Sequence, residues 1–240
     1  MTVTKTLRQH TSMRFSEPPP LESGDRLTRR EFERRYHAMP EVKKAELIEG
    51  VVYVASPVRF QSHGKPHSQI IGWLAVYAAA TRGVELADNA TVRLDPDNEP
   101  QPDALLLLPE SSGGRAAISA DDYIEGPPDL VFEIAASSAA YDLHDKRDVY
   151  RRNGVREYAV WQVYDERIDW WALEDEVYAI IEPDEAGMIR SRAFPGLWLD
   201  RKALLEGDMA KVLAALQQGI ATDEHAAFAK QLAESDQPSS

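Results

Sequence analysis

Asp103, Glu133 and Lys146 are charged residues set where the sequence is otherwise apolar. Asp103 is the second residue of the run Pro-Asp-Ala-Leu-Leu-Leu-Leu, Glu133 lies inside Leu-Val-Phe-Glu-Ile-Ala, and Lys146 follows in a helical segment, Leu143 to Asn153. Such placements are costly unless a ligand, a metal or a partner makes use of them. Residues two apart in a strand share a face, so Asp103, Leu105 and Leu107 point together, as do Val131, Glu133 and Ala135. Each strand thus delivers one carboxylate among apolar neighbours. Two carboxylates converging in a partly buried pocket repel, and one tends to protonate. A divalent cation removes that conflict. One or two carboxylates, with water and substrate phosphate completing the shell, are how Mg²⁺ is usually held.

Lys146 shares a helix face with Leu143 and Tyr150, whereas His144, Asp148 and Arg151 fall on the opposite side. The lysine therefore points back toward the sheet. There it could orient or help deprotonate an attacking water, or neutralise charge developing on a phosphate. Arg147, close to Leu143 on the helical wheel, competes for that role. A salt bridge from Lys146 to Glu133, with the lysine stem packed along the core rim, is the purely structural alternative. Two further residues are possible supporting members. Glu46 lies in a β-rich run, where it either faces a site or the wet side of an edge hairpin. His67 lies on an apolar helical stripe, where a hydrogen-bonded core histidine is the plainer reading.

Several elements must position these groups. Thr28 followed by Glu31 is a capping-box pattern and predicts a helix to about Ala38, with Arg29, Arg30, Arg34 and Arg35 as a basic face. Ala45 to Ser56 reads as two short strands around a Glu49-Gly50 turn. Pro66 suits the first turn of a helix running to about Arg82, closed by Gly83. Val84 to Leu94 has strand character, Pro102 to Leu108 and Asp129 to Ala135 read as buried strands, and Pro109 to Glu125 as a loop. After the Lys146 helix, closed by Gly154, come a strand over Val155 to Val163 and antiparallel hairpins carrying Trp170, Trp171 and Tyr178. An amphipathic helix over Arg201 to Gly219 and a last helix over Thr222 to Ala233 follow. The core order is helix, strand, strand, strand, helix, strand, a mixed α/β arrangement and not an alternating doubly wound sheet.

Composition bounds the function. The 240 residues include no cysteine, which excludes disulfides and thiolate metal sites. There is no apolar run long enough to span a membrane and no apolar signal-peptide core at the start, which fits a cytoplasmic protein. The net charge of −13 is uneven: residues 1–60 carry 11 Lys and Arg against 8 Asp and Glu, and residues 61–200 carry 12 against 26. That balance counts against a sequence-independent nucleic-acid binder. It does not exclude a nuclease, because divalent ions can carry the positive charge that meets the phosphate.

The order of elements, with Pro-Asp on the second core strand and an acid on the third, resembles the PD-(D/E)XK nuclease superfamily. More closely, the chain resembles the Uma-type restriction endonuclease family of bacteria. The resembling segments are Ala45–Pro57, the His67 helix, Gln101–Leu107, Gly126–Ser138, Asp142–Val163 and the hairpins that follow. The resemblance implies a restriction endonuclease-like αβββαβ core with flanking β-hairpins and C-terminal helices. It covers about residues 27–205, leaving residues 1–26 as an N-terminal arm and residues 206–240 as a C-terminal helical tail. Asp103 and Glu133 then correspond to the metal-binding acids, for Mg²⁺ or Mn²⁺. The superfamily lysine two residues after the second acid is Ala135 here. Lys146 corresponds to the lysine that the resembled family tends to carry on the following helix. Glu46 and His67 also match recurrent family positions, while Ser-Pro after the strand acid is replaced by Ala135–Ala140, AASSAA. The activity implied is metal-dependent hydrolysis of DNA phosphodiester bonds. A homodimer is expected, so that both strands are cut, with the Trp170, Trp171 and Tyr178 hairpins as its surface. The alternatives are a catalytically silent nuclease-like fold serving as a binding or regulatory module, and a metal-free α/β scaffold.

Overall fold

Asn and Gly at tight turns, apolar alternation and two buried apolar runs that each carry one acid shape the architecture. The computed structural model of the chain describes residues 18–136 and 141–235. Residues 1–17 of the expected arm, Ser137 to Ala140 of the loop after the strand acid, and the last five residues lie outside them. In chain order the elements begin with helix α1 (Arg29–Tyr36) and strands β1 (Ala45–Ile48) and β2 (Val51–Val54). A π-helical turn (Phe60–Gly64) runs directly into α2 (Lys65–Ala80). Strands β3 (Glu85–Asp88), β4 (Val92–Arg93), β5 (Ala104–Leu107), β6 (Ala117–Ile118), β7 (Ile124–Glu125) and β8 (Leu130–Ala135) follow. A second π-helical turn (Asp142–Lys146) leads into α3 (Arg147–Asn153). Next come β9 (Glu157–Gln162), β10 (Arg167–Glu174), β11 (Val177–Ile180), β12 (Met188–Arg190) and β13 (Trp198–Asp200), then α4 (Arg201–Glu206), α5 (Met209–Ile220) and α6 (Asp223–Ser235).

The main sheet is mixed, in the order β11-β10-β9-β8-β5-β3. Strand β8 pairs antiparallel with β5 and parallel with β9, the parallel connection passing through α3. The αβββαβ core is thus α2, β3, β5, β8, α3 and β9. The period-two pattern sorts the sheet into two faces. Ala104, Leu106, Leu130, Phe132 and Ile134 belong to the larger core, with Ile70, Trp73 and Tyr77 of α2. Leu105, Leu107, Val131 and Ala135 belong to the opposite core, with Tyr150, Tyr158 and Trp171. Asp103 and Glu133 share the parity of this second set. Trp73, Phe132 and Trp170 meet edge-to-face with centroids 6.0–6.4 Å apart. Each such pair contributes about 0.5–1.5 kcal/mol beyond its buried area, and the two that include Trp73 fix α2 to the sheet.

Several expectations are revised. Thr28 occupies the N-cap of α1 but makes no side-chain cap bond; Glu31 instead pairs with Arg34 and Arg35. The expected basic face is therefore partly neutralised. Val84 to Leu94 is two strands in two sheets, because Asn89 takes a left-handed φ of 51° and turns the chain. The expected loop after Pro109 contains β6 and β7, which join β4 in a three-stranded sheet. The long C-terminal helix is broken at Gly207, φ 78°, and Asp208 caps α5 through the Lys211 N–H. Trp170 and Trp171 are buried and Tyr178 is half-buried, so these side chains are core and not an exposed dimer surface. The C-terminal segment contributes Val212, Leu216 and Leu232 to the larger core. The Glu49-Gly50 hairpin is as expected, with φ values of 54° and 69° that suit a type I′ turn.

Candidate active site

The hairpin β1–β2, the start of β5, the middle of β8 and the turn before α3 meet at one point. Asp103 is 3% exposed, Glu133 2% and Lys146 3%. The predicted trio is brought together. Lys146 Nζ donates to Glu133 Oε1 at 2.9 Å and to Glu46 Oε1 at 2.9 Å. It also lies 3.7 Å from Asp142 Oδ1. Tyr150, one helical turn on, donates its hydroxyl to Glu133 Oε1 at 3.1 Å. The remaining oxygen, Glu133 Oε2, is held more loosely, by the Asp103 backbone N–H at 3.4 Å.

Asp103 is bound on every side. The Ile134 backbone N–H donates to Oδ2 at 2.8 Å, which places the two acids on neighbouring strands side by side. Lys44 Nζ reaches Oδ1 at 3.0 Å, and His63 Nε2 stands 3.3 Å from Oδ2. His67 Nε2 donates to the Asp103 backbone carbonyl at 2.8 Å and lies 3.0 Å from Asp88 Oδ1. It therefore positions the main chain carrying the acid. Glu46 faces inward, accepting from the Gln101 backbone N–H at 2.8 Å as well as from Lys146. Both supporting residues, Glu46 and His67, are thus in the cluster. Arg147 is not: its guanidinium lies 5.5 Å over the Trp171 ring.

Burial and charge oppose one another here. Burial would raise Asp103, but His63, Lys44 and the Ile134 N–H outweigh it and hold the acid below the usual carboxylate range. Burial pushes Glu133 up, and Asp103, Asp142 and Glu46 add to that push against the pull of Lys146. Burial would lower Lys146, yet the surrounding Glu133, Glu46 and Asp142 hold it well above its ordinary value. Lys146 is therefore an ammonium at neutral pH and serves as a fixed positive charge. Tyr150 is raised by burial first and by Glu133 next, so it remains a neutral donor.

Lys44, His63 and Asp142 are members that the sequence reading passed over. Signals existed. Lys44 is two residues before Glu46 and shares its side of the strand. His63 precedes His67 by four, and Asp142 precedes Lys146 by four, the spacing of helical neighbours. The π-helical turns put both pairs on continuous helices, so that the two imidazoles stand 5.6 Å apart.

The donor set suits a hard cation. Glu46, Asp103, Glu133 and Asp142 face Lys44 and Lys146, so the carboxylates outnumber the ammonium groups by two. Among the described residues no three His, Asp or Glu side chains form a ready metal cage. Two carboxylates with water and phosphate are nevertheless the usual Mg²⁺ arrangement. Asp103 and the loosely held Oε2 of Glu133 are the candidates, and half-buried Lys44 is the group that would have to yield its hold on Asp103.

The chain belongs to the Uma2 family, "Putative restriction endonuclease", whose model matches residues 30–202. Among solved structures, the chain is similar to a protein from Anabaena variabilis described as a "putative nuclease belonging to DUF820". The TM-score is 0.53 at 13% identity, covering 72% of this chain and 96% of that one. That likeness supports the restriction endonuclease-like fold. No curated protein matches the chain.

Proposed function

We propose that the chain is a metal-dependent endonuclease that hydrolyses DNA phosphodiester bonds. The observation that carries this reading is the juxtaposition of Asp103 and Glu133 on adjacent strands, each hydrogen-bonded to the other strand's backbone. Asp103 and Glu133 would hold Mg²⁺ or Mn²⁺. When bound, the ion supplies Lewis acidity toward the phosphoryl oxygen and lowers the pKa of a bound water.

The chain's own groups do the rest. Lys146, charged and pinned by three carboxylates, holds Glu133 in place together with Tyr150 and offsets part of the negative charge gathered there. His67 fixes the backbone at Asp103, so the acid does not reorganise as charge develops. Lys44, half-buried at the edge of the cluster, is placed to meet a phosphate oxygen once it leaves Asp103. No covalent enzyme intermediate is required. A homodimer would place two such sites on a duplex. Among the described residues no helix is long and apolar enough to cross a membrane.

The second reading, a silent fold used for binding, draws on the closure of the cluster, in which Lys146 bridges Glu133 and Glu46. Calorimetry with Mg²⁺ and Mn²⁺ separates the two at the level of the ion. The hydrolytic reading expects binding by wild type that weakens at least about tenfold in Asp103→Asn and Glu133→Gln, as removal of a charged ligand should do. Failure of wild type to bind either ion would sink the metal-dependent mechanism.

A further inference from the structure

An acidic chain needs a place where a polyanion can approach. Between Gly50 and Glu85 the sequence contains no Asp or Glu, in a chain that has 40 of them. The same stretch carries Arg59, Lys65 and Arg82 together with His63 and His67. It forms β2, the segment after it and α2, and it borders the carboxylate cluster.

Phe60, 69% exposed, and Val58, 67% exposed, are the most exposed large apolar side chains among the described residues. Arg59 stands between them, also exposed, and has no ion-pair partner among the described residues. An exposed phenyl ring beside an unpaired guanidinium is what a stacked base and its phosphate call for. A purely apolar patch would suit a protein partner, but this one is interrupted by a cation and followed by another, Lys65.

The patch is tied to the site by geometry. The backbone N–H groups of His63 and Gly64 both donate to the Arg59 carbonyl oxygen, at 3.1 and 3.0 Å. Phe60 begins the π-helical turn whose His63 lies 3.3 Å from Asp103 Oδ2. The tip is therefore held one helical turn from the acid and does not swing freely.

From these relations we infer that Val58–Phe60 is a nucleotide clamp: Phe60 stacks on an unpaired base beside the phosphate at the carboxylate cluster, and Arg59 pairs with the adjoining phosphate. The substrate favoured is a single strand, or a duplex with an unstacked nucleotide. This deepens the nuclease reading and rests on it for the position of the phosphate.

The test is fluorescence anisotropy in EDTA, where no metal-dependent cleavage occurs, with a labelled oligothymidylate and a duplex of equal length at two salt concentrations. Wild type should bind the single strand more tightly than the duplex. Phe60→Ala should weaken that binding by roughly fivefold or more, and Phe60→Trp should retain it. Arg59→Ala should lower the salt slope for the single strand by about 0.7. Both side chains are exposed, so the variants should fold as wild type does. Absence of binding, equal binding by Phe60→Ala, or the same Phe60 dependence on intact duplex would each overturn the clamp. So would a dimer that Phe60→Ala converts to monomer in sedimentation, since the patch would then be an interface between copies. Cleavage lost in Asp103→Asn while Phe60→Ala binds as wild type would leave the nuclease reading standing without the clamp. Phe60-dependent binding by a protein that cuts nothing would do the reverse.

Discussion

Lys146 Nζ and Glu133 Oε1 stand 2.9 Å apart, both side chains under 5% exposed, and join the crossover helix to the middle of the sheet. A closed buried pair of this kind makes removal of either member costly, because the other is left as an uncompensated charge. Lys146→Met should therefore destabilise the fold by about 3–5 kcal/mol in urea unfolding. Adding Glu133→Gln should recover only part of that loss, because Glu46 and Asp142 also lose the ammonium. A single-variant cost below about 1 kcal/mol would show that the pair is open to water.

The acid pair near α1 predicts a pH dependence. Burial, and next the hydrogen bond and charge of Glu33, push Glu99 up to about 8 from 4.5, against the pull of Arg93 and Arg29. The folded state thus binds more protons than the unfolded chain between those values. This contribution to stability is fully present below pH 4.5 and is lost as pH rises through about 8. Melting curves should show wild type losing stability relative to Glu99→Gln across that window. Parallel pH profiles for the two proteins would contradict the assignment.

Two helical glycines should respond in opposite senses. At Gly72 of α2 an added Cβ meets nothing within 4 Å. Gly72→Ala should stabilise by about 0.5–1 kcal/mol, the usual gain in a helix interior. At Gly219 of α5 the same atom would overlap the Gly196 carbonyl oxygen and come within 2.8 Å of Trp198 Cγ. Gly219→Ala should cost about 1–3 kcal/mol despite its better helix propensity. Thermal melts of the two variants decide it, and stabilisation by Gly219→Ala would show that α5 does not pack as described.

Much of this arrangement is legible in the residues themselves. Strand parity groups Asp103 with Leu105 and Leu107, and Glu133 with Val131 and Ala135, and helical spacing puts Lys146 and Tyr150 on one face; the β5–β8 register is what brings the two acids to the same face of the sheet. Lys44 and His63 were hidden because each lies at the border of an element. Lys44 immediately precedes β1, and His63 sits in a π-helical turn ahead of Pro66, where its four-residue spacing to His67 is the one sign that the helix extends back to it. The split of Val84 to Leu94 depends on a left-handed Asn89, which composition does not announce. The burial of Trp170 and Trp171 follows from β10 lying inside the sheet with β11 at its edge, a tertiary fact that no local pattern contains.

The most direct test of the account is cleavage of plasmid and oligonucleotide DNA by wild type, Asp103→Asn, Glu133→Gln and Lys146→Arg, each in EDTA, Mg²⁺ and Mn²⁺. Circular dichroism verifies that every variant is folded. The account predicts cutting by wild type only with a divalent ion, and its loss by two or more orders of magnitude in Asp103→Asn and Glu133→Gln. Cutting that persists in EDTA, or that survives both acid substitutions in folded protein, would contradict it.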